Sequence, residues 1–214
     1  MCINAETSLT SFLLGTICNI VVYKKTRNPN YLMVAASYEF ILAMQLVDFL
    51  CWSDQKCGLQ NRFATKFGFI FNMLAPVVIV LILLNYTQVT NKNVKWFVSF
   101  LLVCYVSTVF YNFYYNNKGI PITCLKPTSR CKHLKYDWWD LFKGKLGIFI
   151  FLLPIIGGFY FLLKSKKFAI IHLFYIMASF LISGLVYSCG IPSVFCLFAT
   201  GGPLLNYFLM KYKV

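Results

Sequence analysis

Three ionisable side chains interrupt otherwise apolar stretches of this chain: Glu39, Asp48 and His172. Each would cost about 2.5–3.5 kcal/mol to insert at the centre of a membrane span, so each is a candidate for binding a solute or ion. Gln45, Asn72 and Pro76 lie in the same kind of stretch and would complete a polar site near mid-membrane. Helical spacing limits how these groups cooperate. Glu39 and Asp48 are nine residues apart, about 180° around a helix, so they do not form a paired-carboxylate site by themselves. Gln45 lies about 60° from Asp48 and shares its face. The competing reading is that each acid is neutralised or paired and fixes packing alone.

Other chemistry is not encoded in recognisable form. There is no nucleophile beside a matching base, no nucleotide-binding loop and no His/Asp cluster, so no catalytic residue and no cofactor are expected. Nine cysteines are present. Cys57, Cys124 and Cys131 fall in polar connections on one predicted side, where an oxidising compartment would permit disulfides. Cys124–Cys131 is the local pairing; Cys57 with either is the long-range one, and spacing does not choose between them. His133 is the only nearby imidazole and no CxxC occurs, so no metal site is expected.

The elements that hold these residues follow from composition. Of 214 residues, 59% are hydrophobic and 12% charged, and the mean hydropathy is +0.69. A soluble domain carries about 25% charged residues. Too little polar surface remains to cover a water-soluble globule, so the bilayer is the expected solvent. Seven apolar runs approach the roughly 20 residues a helical span needs, at 9–23, 31–52, 68–84, 94–114, 146–163, 168–187 and 191–210. The third could start near Phe63. The runs lack period-2 alternation, which argues against a β-barrel. The expectation is an all-α, polytopic seven-helix bundle forming one domain over 1–214, with a long outer loop at 115–145. Residues 1–8 lack the basic stretch of a cleavable signal peptide.

The net charge of +14 does not imply nucleic acid, because the basic residues sit in short gaps between the apolar runs. One side of the bundle collects ten Lys and Arg in its short connections, from Lys24 to Lys213. The other collects three once the long loop is set aside. The positive-inside rule then puts the N-terminus outside or in a lumen and the C-terminus in the cytoplasm. Anionic lipid at the basic face is an expected partner. A homo-oligomer is compatible with these features. Retinal is not expected, since 191–210 contains no lysine for a Schiff base.

Helices one to three and five to seven show parallel features. Each triplet joins its first two helices through a short basic loop, Lys24–Arg27 and Lys164–Lys167, and each third helix has a small residue before proline, Ala75-Pro76 and Gly202-Pro203. This 3+1+3 plan resembles SWEET and PQ-loop transporters and the nicotinamide riboside transporters, although the Pro-Gln signature is absent. A second likeness covers residues 8–80. The segment from Glu39 to Trp52, with Met44, Gln45, Asp48 and Trp52 as its core, is followed by Asn61, Asn72 and Pro76. It resembles an uncharacterised family of multi-pass proteins from large DNA viruses and microbial eukaryotes, which often carry Gln where this chain has Ala75. That likeness implies a membrane protein of unknown activity and viral origin. Together these features point to a small-solute transporter or channel-like protein. The alternative is a structural or interaction protein of a viral or host membrane.

Overall fold

The computed structural model describes residues 4–115, 124–125, 134, 145–186, 198 and 200–213. Seven helices are present among them: α1 (Ala5–Lys25), α2 (Pro29–Ser53), α3 (Leu59–Tyr86), α4 (Lys92–Tyr115), α5 (Lys145–Leu162), α6 (Lys166–Val186) and α7 (Gly201–Lys211). No strand occurs among the described residues. Five helices (α1, α2, α3, α4 and α6) are long and apolar enough to cross a membrane, and the apolar stretch of α5 at Phe149–Leu162 is shorter. Cys131, most of the 115–145 loop, and residues 191–197 and 199 of the seventh expected span lie outside the described residues.

Local chemistry sets the helix ends. The Asn4 carboxamide accepts the Thr7 N–H at 2.8 Å, and Glu6 then sits in the first turn of α1 while Lys24 and Lys25 occupy its last. That charge order suits the helix dipole. Asn28 caps α2 by accepting the Asn30 N–H, and Pro29 takes a first-turn position where its missing N–H costs nothing. At the end of α5 the Lys166 ammonium donates to the carbonyls of Tyr160, Phe161 and Leu163, which the helix itself leaves open. One correction concerns α3, which begins at Leu59 and not near Gly68. Its first turns carry Gln60, Asn61, Arg62 and Lys66, so a hydropathy threshold does not register them.

The short connections gather at two ends. Thr26–Asn28, Thr87–Asn91 and Leu163–Ser165 share one end, where the Lys164 N–H donates to Asn30 Oδ1 at 3.1 Å and the Thr87 hydroxyl donates to the Leu162 carbonyl at 2.5 Å. This is the lysine end. Asp54–Gly58 and Cys124–Leu125 form the opposite, cysteine end.

α2 is central and packs on α1, α3 and α7. α4 packs on α3 and α5 and is the most outward-facing of the five long helices. When α1, α2 and α3 are matched to α5, α6 and α7, the packing of α1 on α7 corresponds to that of α5 on α3. The α1–α2 and α2–α3 contacts have counterparts in α5–α6 and α6–α7, which are far less extensive among the described residues. The outer surface is apolar, with Leu13, Leu14, Ile17 and Ile20 of α1 and Trp96, Phe97 and Phe100 of α4 exposed. Hydrocarbon is the solvent for such a surface, as in a multi-pass membrane protein.

Candidate functional site

α1 presents a stripe of small and polar residues to α2: Ser8, Ser11, Gly15, Asn19 and Val22 are its buried positions. Gly15 allows the close approach, because a Cβ there would lie 2.5 Å from Leu42 Cδ1. Small residues at this spacing let membrane helices come together without lipid between them. The approach carries Thr16 and Asn19 to Glu39. The Thr16 hydroxyl donates to Glu39 Oε1 and the Asn19 amide to Oε2, both at 2.8 Å. Glu39 is half-buried, and no cationic side chain among the described residues pairs with it. The other polar atom of Asn19, Oδ1, is buried with no hydrogen-bond partner among the described residues.

The sequence groups Glu39 with His172 as candidates for one polar site near mid-membrane. The structure corrects this: both partners of Glu39 come from α1. His172 meets Tyr38 instead, with Nδ1 3.2 Å from the Tyr38 hydroxyl, and both side chains are buried. Tyr38 and Glu39 are adjacent in sequence and so point about 100° apart around α2. Phe168 and Phe159 close around the imidazole, with ring centroids 4.6 and 6.4 Å from it. His172 Nε2 has no partner among the described residues. Gly202 of α7 lies against the Tyr38 ring. This is a buried aromatic contact between the second helices of the two triplets.

None of the remaining sequence candidates bonds to Glu39 among the described residues. Gln45 and Asp48 are fully buried on α2, apart from the Glu39 pair, and Asn72 is half-buried on α3. Pro76 interrupts α3 internally. The Met73 carbonyl one turn before it accepts the Tyr105 hydroxyl of α4 at 2.8 Å, so a neighbouring helix covers this stretch. Pro203 falls in the first turn of α7.

The cysteine end is organised by Asn61. Its amide donates to the carbonyls of Cys51, Asp54 and Leu125, each at 3.0 Å, while its Oδ1 accepts the Leu125 N–H at 3.0 Å. Backbone N–H groups of Asn61, and after it Gly58, hold the Asp54 carboxyl below its usual range. Cys57 and Cys124 are bridged here, with Cα atoms 5.7 Å apart, across a separation of 67 residues. This is one of the two long-range pairings the sequence leaves open; Cys131 of the other lies outside the described residues. At the lysine end a cavity of about 460 Å³ opens, and Glu39 is not among its lining residues.

Sequence reasoning missed Tyr38 as the partner of His172 and Thr16 as a partner of Glu39. The signal for α1 was present in the recurrence of Ser8, Ser11, Gly15 and Asn19 at spacings of three and four. Among the described residues, no group of three or more His, Cys, Asp or Glu could hold a metal. Comparison of the chain with protein-family models, with curated proteins and with solved structures returned no match.

Proposed function

We propose that this multi-pass membrane protein is a small-solute transporter or channel-like protein whose solute or co-ion is a cation bound at Glu39. One observation carries the reading. A carboxylate near the middle of a membrane helix is held by two neutral donors with no cationic partner among the described residues, beside a buried and unpartnered Asn19 oxygen. Uncompensated charge at that depth is costly, and a bound cation would offset it. The oxygens of Glu39, Thr16 and Asn19 suit an alkali cation or a primary ammonium. The corresponding packing of α1 on α7 and of α5 on α3 supports the reading, since parallel repeats occur in transporters that bind solute between them. The test is uptake of alkali cations and primary amines by proteoliposomes. Glu39→Gln should slow it at least tenfold, and unchanged uptake in a folded variant sinks the idea.

The proposed orientation places the lysine end in the cytoplasm and the bridged cysteines outside or in a lumen. After mild reduction, a membrane-impermeant maleimide added outside intact cells should label Cys57 and leave a Lys166→Cys variant unlabelled at the new site. The reverse labelling pattern contradicts this orientation. The likeness of residues 8–80 to proteins of large DNA viruses would make the membrane a viral or host one. A second reading, a structural or interaction protein, is favoured by the buried packing at Tyr38 and His172 and by the cavity lying at the lysine end instead of beside Glu39.

A further inference from the structure

The cavity at the lysine end lies between the α3–α4 connection and the α5–α6 turn. Gln88, Thr90, Asn91, Tyr160, Lys164 and Lys166 line it, and its volume is about 460 Å³. That is within the range of a pocket for a small polar group. Its charge is of one sign. No Asp or Glu occurs in 87–95 or in 163–167, whereas Lys92, Lys95, Lys164, Lys166 and Lys167 do. The two lysines in the lining differ in freedom. Lys166 is tied to three carbonyls and lies 5.2 Å from the Tyr160 ring centroid, so its charge is fixed in place. Lys164 is exposed, and its side chain has no hydrogen-bond or ion-pair partner among the described residues.

The surroundings narrow the occupant. Val94 of α4 and Phe161 of α5 are apolar members of the wall, and Phe161 packs edge-on against Phe97 at 5.4 Å. From there the outward face of α4 continues through Trp96, Phe97 and Phe100, all exposed. An exposed tryptophan at this level belongs at a membrane–water boundary. A polar basic pocket therefore opens beside an apolar strip running along the bilayer. A soluble phosphate would use the first feature only, and a phospholipid would use both.

We infer that this cavity is a headgroup site for an anionic phospholipid, with the phosphate in the pocket near Lys164 and Lys166 and the acyl chains along α4. Basic pockets between membrane helices bind anionic headgroups in this way. The site is distinct from Glu39 and does not depend on the transport reading.

Native mass spectrometry of the full chain in detergent, with equimolar phosphatidylglycerol and phosphatidylcholine, tests it. Phosphatidylglycerol should be retained preferentially. Lys164→Ala should weaken its retention about fivefold, and Lys164→Glu more, as expected for loss of one near-surface charge. Lys211→Ala, outside the cavity, should retain the lipid as the parent chain does. Lys164 is exposed, so these variants are expected to fold, and an unchanged melting temperature would confirm that. Equal retention of the two lipids, or retention insensitive to Lys164→Glu, overturns the inference. Displacement by glycerol phosphate at concentrations equal to the lipid also overturns it, because the site would then recognise a free phosphate.

Discussion

Replacing Asn61 with alanine should destabilise the protein by about 3 kcal/mol or more, through loss of buried hydrogen bonds. The side chain is fully buried and satisfies the carbonyls of Cys51, Asp54 and Leu125 together with the Leu125 N–H. Alanine removes these four bonds and the one accepted from the Thr65 hydroxyl, and the Leu125 carbonyl loses its donor, while the Cys51 and Asp54 carbonyls keep the Gln55 amide and the Cys57 N–H. An unmatched buried polar group costs about 1–3 kcal/mol, and Thr65 recovers part of the loss because it also accepts the Leu125 N–H. The same change should release 124–125 from the α2–α3 connection, so that Cys57 and Cys124 become easier to reduce. Denaturation in detergent and a gel shift after graded reduction measure the two effects. A loss below about 0.5 kcal/mol, the range of ordinary surface substitutions, contradicts the assigned role.

Replacing Gly202 with alanine should also destabilise, by about 1–3 kcal/mol, as overpacking does. An added Cβ would lie 2.1 Å from Tyr38 Cε1 and 2.3 Å from Cζ. Helix propensity alone predicts the opposite sign, since Ala exceeds Gly by about 1 kcal/mol inside a helix. A net loss therefore reports the contact itself. The ring must move, and its hydrogen bond to His172 moves with it. The double-mutant cycle with Tyr38→Ala should show most of the penalty disappearing when the ring is absent. An equal penalty in both backgrounds would contradict the packing described for α2 and α7.

Much of the bundle is legible in the sequence, because continuous apolar runs of span length have few alternatives. α1, α2 and α4 extend only a few residues beyond their expected limits and α6 begins two residues before its own, since polar caps such as Asn4 and Asn28 continue α1 and α2 past their apolar runs. α3 starts earlier than its hydropathy suggests for the same reason, with Asn61 and Thr65 helical yet polar. The partners of Glu39 are harder to read. Periodicity shows which residues share a face of α2, but not which helix covers that face. Glu39 therefore pairs with α1 while its neighbour Tyr38 reaches α6. The Cys57–Cys124 pairing was likewise beyond the spacing argument. It depends on Asn61 docking Leu125 at the end of α3, a tertiary contact.

The charge at Glu39 carries the functional account, and a substitution series at that position in proteoliposomes tests it most directly. Uptake of a cation panel is measured for the parent chain, Glu39→Asp, Glu39→Gln and Glu39→Ala, each with its melting temperature. The account predicts that Glu39→Asp keeps measurable uptake. The two neutral variants should fall at least tenfold, about 1.4 kcal/mol, while remaining folded. Folded Glu39→Gln protein that moves the same cations at the parent rate would contradict it, as would a parent chain that moves none; either result would leave the structural role as the better reading.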